Sequence, residues 1–251
     1  MKTKLSILLM ILMISGYALA QTTQTTDRQS KALLKAAESG DVEKVIATLE
    51  AGADVNTKDA DGWTPVMLAS AADKPSIGII TALVKAKADL AAQDTDGRTA
   101  LTIAAGPGDA GTMKVLIDGG ADANATDRDG KTAMMIASYG GHTEAVKALL
   151  DGKANPNAQA KNGWTALMYA AAKGQIETVQ ALLDGKADVN LQESGGHNAL
   201  MIAAIHNEVA SAKALIDAGT NLSAKAVDGK TAMDCAAGNA QIEELLKAGS
   251  K

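Results

Sequence analysis

The stretch KNGWTALMYAAAKGQIETVQALLDGKADVN, running from Lys161 to Asn190, is one copy of a unit that fills most of this chain. Aligning its Gly-x-Thr step shows the others. Gly62, Gly97, Gly130, Gly163, Gly196 and Gly229 each stand two places before a Thr, or before Asn198 in one copy. The intervals between them are 35, 33, 33, 33 and 33 residues, so the chain reads as a stack of repeats before any single motif is weighed.

Within each copy the residue types predict two short helices. The Thr or Asn after the glycine is placed to cap the first helix, its side-chain oxygen accepting a free backbone N–H. Alanines such as Ala170 and Ala171 let helices approach closely, and Gly140-Gly141 or Lys173-Gly174 breaks one helix from the next. The second helix carries the apolar pairs Leu149-Leu150, Leu182-Leu183 and Leu215-Ile216 at core positions. A full burial of each such side chain contributes about 1.5–3 kcal/mol. No unit can hide its apolar face alone.

The runs Thr64-Pro65-Val66-Met67-Leu68-Ala69, Thr99-Ala100-Leu101-Thr102-Ile103-Ala104 and Thr165-Ala166-Leu167-Met168-Tyr169-Ala170 resemble the T-P-L-H-x-A signature of ankyrin repeats. The tails Gly52-Ala53-Asp54-Val55-Asn56, Gly120-Ala121-Asp122-Ala123-Asn124 and Ala187-Asp188-Val189-Asn190 match that family's closing G-A-D-V-N. The resemblance covers residues 31–251 and implies an all-α ankyrin-repeat solenoid with short β-hairpin turns and a concave protein-binding face. Five repeats, 59–93, 94–126, 127–159, 160–192 and 193–225, are expected between an N-terminal cap at 31–58 and a C-terminal cap at 226–251. Polar residues in both caps fit the ends of a solenoid. Two copies are irregular. The second carries two extra residues within Ser70–Ile77, and the third carries Gly106-Pro107-Gly108-Asp109-Ala110-Gly111, expected to shorten or loosen the helix ends.

Ahead of the repeats, Met1-Lys2-Thr3-Lys4 is followed by an apolar run from Leu5 to Ala20 ending Ala18-Leu19-Ala20. A basic start, a short apolar run and a small-x-small end describe a secretory signal peptide over residues 1–20, cut after Ala20. The run is shorter than the roughly 20 residues of a spanning helix. It points to a bacterial leader and to the periplasm. Residues 21–30 read as a flexible polar leader. Losing Lys2 and Lys4 leaves 22 basic against 29 acidic residues, a net charge of −7. Nucleic acid, which is bound through Lys and Arg at phosphates, is a poor partner for such a chain. No basic amphipathic face for a membrane is present either, and the expected state is a monomer. Cys235 is the only cysteine, so no internal disulfide can form.

The chemistry-bearing residues read mostly as structure. Asp59-Ala60-Asp61-Gly62, Asp94-Thr95-Asp96-Gly97 and Asp127-Arg128-Asp129-Gly130 look like calcium loops but lack the spaced oxygen ligands and the closing Glu. They fit turns in which Asp bonds its own backbone. His142, His197 and His206 form no ligand pair, and no metal, cofactor or catalytic constellation is expected. Where the family signature has His, this chain has Met67, Thr102, Met135, Met168, Met201 and Asp234. These read as a buried ladder, with a sacrificial oxidation role as the alternative. Lys87, Lys153 and Lys186 replace the Gly of G-A-D, where a cation complements a helix C-terminus.

In ankyrin proteins the residue between the Gly and the cap points from the hairpin tip. Here it is Trp63, Arg98, Lys131, Trp164, His197 and Lys230, with Arg128, Tyr139, Lys161, Lys173, Ile205 and His206 expected on the same concave side. Such aromatic and basic side chains are enriched at binding hot spots. The expected function is non-enzymatic binding of another exported protein, which is held, stabilised or inhibited, with an acidic or mixed partner surface. A secreted effector acting on a host protein and an oxidant-defence protein are the alternatives.

Overall fold

A computed structural model describes residues 25–72 and 75–249. The expected signal peptide and its cut lie outside them, as do residues 21–24 and part of the insertion between Ser70 and Ile77. The first helix, α1, spans residues 25–39. It is followed by α2 (Val42–Glu50), α3 (Pro65–Ser70), α4 (Ile77–Lys85), α5 (Ala100–Ala104), α6 (Ala110–Asp118) and α7 (Ala133–Gly140). Then come α8 (Thr143–Asp151), α9 (Ala166–Ala172), α10 (Ile176–Asp184), α11 (Ala199–Ile205), α12 (Val209–Asp217), α13 (Ala232–Cys235) and α14 (Ala240–Gly249). First helices of successive units stack on one another, second helices do the same, and the pair within a unit packs antiparallel between them. The result is a two-layer all-α solenoid.

The first helices are almost wholly interior along one side: Ala166, Leu167, Met168, Ala170 and Ala171 are all buried. Thr99, Thr132, Thr165, Asn198 and Thr231 cap them as expected, each accepting from the backbone N–H three residues on, whereas the Thr64 hydroxyl, expected to do the same, makes no such bond. The methionine ladder is part of this core, with Met67 and Met201 at 0% and Met135 and Met168 at 1% exposure. The Met67 and Met168 sulfurs lie 3.4 Å from the backbone nitrogens of Thr64 and Thr165 and accept from them. Burial removes the ready access to oxidant that a sacrificial role would need.

The units are tied together by three sets of bonds besides apolar packing. At the hairpin tips, Arg128 N donates to Asp96 O at 3.0 Å, Lys161 N to Asp129 O at 2.9 Å and Val227 N to Gly195 O at 2.8 Å. At the closing Asn, the side-chain oxygens of Asn56, Asn124, Asn157 and Asn190 accept from the backbone of Asp89, Asn155, Asp188 and Asn221 at 2.7–2.8 Å. Between the helices of a unit, the residue before the second helix lies over the preceding unit. His142 Nε2 donates to Gly106 O at 2.9 Å, and its ring occupies the space a Cβ on Gly108 would need. Gly108, with φ +74°, therefore makes room for a neighbour as well as turning the chain. The Gly-Pro-Gly irregularity does shorten the helix, leaving α5 only five residues long.

Several expectations are corrected. Residues 25–30 are not a free leader but the first turns of α1; Lys31 and Asp27 pair at 2.8 Å, and buried Ser30 accepts from Asp54 N. Among the described residues the hairpins contain no strand, only an isolated bridge between Thr126 and Thr132. Each is instead a tight turn closed by two backbone bonds, such as Ala160 N to Trp164 O at 2.9 Å and Gly163 N to Ala160 O at 2.8 Å. In the apolar pairs only Leu149, Leu182 and Leu215 are fully buried. Their successors reach toward the next unit, as Leu150 does over Gly185. Lys87, Lys153 and Lys186 take left-handed φ of 65–68°, so glycine there would relieve strain, whatever their charge does for the helix end.

The Asn ladder has a gap where Ala91 occupies the equivalent position, its N–H bonded to Asp89 as Asn124 is to Asp122. Ala91→Asn is expected to supply the missing rung toward Asp122 and to raise stability, whereas Asn157→Ala lowers it, each by about 1 kcal/mol in urea titrations.

Candidate functional site

Hairpin tips and first-helix ends meet around two pockets, one with Trp63 and one with Tyr139, Trp164, Lys173 and His206 of the expected residues. They do not form one basic groove. Two different clusters are built, separated by tips whose cations are already paired.

Toward the N-terminal end, Trp63 sits half-buried with the Arg98 guanidinium 5.2 Å from its ring centroid. Arg98 in turn donates to the Asp94 carboxylate through Nε at 2.8 Å and Nη2 at 2.7 Å, and pairs with Asp96 at 3.3 Å. Asp94 also accepts from the backbone N–H groups of Asp96 and Arg98. Burial pushes this carboxyl upward, but the bonds to Arg98 and to both backbone groups outweigh it and hold it below the usual range. The constellation welds adjacent tips together. Trp63 and Arg98 are therefore partner and brace to each other, with a pocket of about 390 Å³ beside Trp63 lined by Glu38, Asp59 and Asp61.

The same self-pairing removes most of the expected basicity. Lys131 faces Asp129 at 3.7 Å, His197 Nδ1 bonds Glu193 at 2.9 Å and Lys230 bonds Asp228 at 2.8 Å. Arg128 is exposed but stands in the tip between Asp127 and Asp129. The aspartates of the calcium-like segments serve the turns: Asp127 Oδ1 accepts from Asp129 N at 2.9 Å and Lys131 N at 2.8 Å. Among the described residues no group of three or more His, Cys, Asp or Glu could hold a metal ion. Cys235 is half-buried against the core, and burial raises its thiol pKa, which leaves it a weaker nucleophile.

The centre of the face is different. Trp164 and Tyr169 lie 4.9 Å apart between centroids, and Tyr169 meets Tyr139 edge-on at 6.1 Å and 80°. Lys173 Nζ stands 4.6 Å from the Tyr139 centroid. With Asn162, Ala172 and His206 these side chains line a pocket of about 340 Å³ between the third, fourth and fifth repeats. Tyr139 is 53% exposed and Ile205, one residue before His206, is 49% exposed. The tip beside this pocket reads Ala160-Lys161-Asn162, so both aspartates of the two tips before it are missing. Lys161 and Lys173 form no ion pair among the described residues. Tyr169 was not among the predicted residues; it replaces the aliphatic side chain found at Leu68, Ile103, Ile136 and Ile202, a substitution visible once copies are aligned.

These features define a helical repeat protein built of stacked tips and paired helices. A sequence model described as "Ankyrin repeats (3 copies)" matches residues 33–127 and 105–193, more than half of the chain. The chain belongs to the ankyrin-repeat family. Among solved structures, the ankyrin repeat domain of Bcl-3, titled a unique member of the IkappaB protein family, is similar at 26% identity and a TM-score of 0.77. The match covers 86% of this chain and 97% of that one. No curated protein matches the sequence.

Because Asp94 is depressed in the folded state, its contribution is present above the unfolded carboxylate pKa of about 4 and is lost as pH falls through the folded value. Asp94→Asn is expected to destabilise the protein at pH 7 by about 1–3 kcal/mol, with the gap to wild type closing below about pH 4 in thermal or urea melts.

Proposed function

We propose that the protein is a non-enzymatic scaffold of the bacterial periplasm that binds another exported protein through its concave face, holding, stabilising or inhibiting it. Ankyrin-repeat membership supports the protein-binding part. The single observation that carries the choice of face is the central aromatic cluster, in which Tyr139 stays half in solvent beside Trp164 and Lys173. An interior role would bury such rings; their partial exposure around a pocket fits hot-spot anchors. The basic and apolar start of the sequence supports the address. No helix among the described residues is long and apolar enough to cross a membrane.

The test is capture from the periplasmic fraction of the source cell with the tagged protein, alongside Tyr139→Ala. The expected result is one dominant co-purifying protein whose affinity drops about thirtyfold or more in the variant, the equivalent of a loss of about 2 kcal/mol. Trp164→Ala is run with a melting curve, since Trp164 also packs on Tyr169. Identical capture by wild type and both folded variants removes the face; recovery of the protein from the medium instead of the periplasm removes the address.

A further inference from the structure

We infer that the pocket between the third, fourth and fifth repeats is a seat for an acidic, extended segment of the partner, with an apolar or aromatic side chain against the Trp164 and Tyr139 rings and flanking carboxylates at Lys161 and Lys173. The inference rests on the protein-binding reading and narrows it to one place and one partner chemistry.

Charge on the tips carries the argument. Along the face the cations Arg98, Lys131 and Lys230 are each matched by a carboxylate of their own tip, and the His197 ring is bonded to Glu193 of its tip. In the fourth repeat this matching stops. Ala160 and Asn162 stand where Asp94 and Asp96 or Asp127 and Asp129 stand in the two tips before it. The turn survives without them, because Asn162 Oδ1 accepts from Trp164 N at 3.1 Å and Ala160 N bonds Trp164 O. The tip thus keeps its shape and gives up its negative charge.

What remains is a local excess of positive charge on a chain of net charge −5. Lys161 is exposed at the tip. Lys173, exposed at the end of α9, has the Tyr139 ring for company in place of a carboxylate. His206 completes the wall from the next repeat. Of the acids around the pocket, Glu193 is bonded by His197 and Asp129 faces Lys131, while the Glu208 carboxylate lies over Gly174. An anion arriving at Lys161 and Lys173 therefore meets two cations that form no ion pair among the described residues, with Glu208 as the one nearby acid against them. Complementary charge of this kind speeds encounter and fixes register, while the rings supply area. A basic or neutral segment would gain only the area. The extended form follows from the shape, since the pocket is bounded by the Asn162–Trp164 tip on one side and by the ends of three successive first helices, at Tyr139, Lys173 and His206, on the other.

The experiment is selection of random dodecapeptides on the purified protein, then measurement of the best binders against Lys161→Glu/Lys173→Glu and against Lys173→Arg. All three substitutions lie on exposed side chains, and circular dichroism confirms their fold. Expected are peptides enriched in Asp and Glu beside Leu, Phe, Tyr or Trp, with affinity lost about tenfold or more in the double reversal, kept in Lys173→Arg, and weakened by added salt. Neutral or basic binders, acidic binders indifferent to the double reversal, or no enrichment at all would each overturn the seat. The wider reading is separated by the captured partner. If that partner binds the double reversal as well as wild type, the scaffold stands and the seat falls; if neither peptide nor partner is recovered, both fall.

Discussion

Each unit of this chain has two apolar flanks and no way to bury either within its own 33 residues. Leu167 and Met168 are interior because the helices of adjacent units close over them, and Leu182 is interior for the same reason one layer out. Every other feature follows from that dependence. Because the flanks must face one another at a fixed spacing, the backbone at the tips, the closing asparagines and the residues before the second helices fall into register and bond across the gap. None of these bonds is strong, at about 0.5–1.5 kcal/mol net. Repeated at each junction, they set the angle and register that apolar packing, being non-directional, leaves open.

Small residues are the condition for such close layers. Gly185 accepts Leu150, and Gly108 accepts His142, at positions where a Cβ would collide. Left-handed backbone recurs where each second helix ends, carried by glycine in some copies and by lysine in three. The lysines show that the fold imposes the conformation even on residues that resist it, since neighbouring units over-determine the turn.

Electrostatics then divides the side that carries the tips. Tip carboxylates first serve their own turns and then hold their own cations, so most of the charge is spent inside the scaffold. A cation braced as Arg98 is, by Asp94, Asp96 and Trp63, has little left for a partner. The fourth repeat, which lost its aspartates and gained Trp164 and Tyr169, is where charge and aromatic area remain available together.

The period of the Gly-x-Thr step, the capping Thr and Asn residues of five first helices and the buried methionines were all legible in the sequence, because each is a local pattern repeated at one spacing. That Asp-x-Asp-Gly forms a turn was legible for the same reason. The side chains of the tips and first-helix ends were legible as a set of residues but not as an arrangement. Which lysine meets which aspartate depends on distances between tips, and those are set by the stacking. Likewise Tyr139, Trp164, Tyr169 and Lys173 come from two repeats and from both tip and helix, and no single spacing relates them. The helix over residues 25–30 was missed because QTTQTTDRQ carries no apolar period; it is held by Ser30 and the first unit behind it. Sequence alone determined the architecture, since its period requires neighbouring units to stack and its repeated signature resembles that of ankyrin repeats. Only the tertiary structure decided where charge stays unpaired, because pairing is a property of neighbours brought together across repeats.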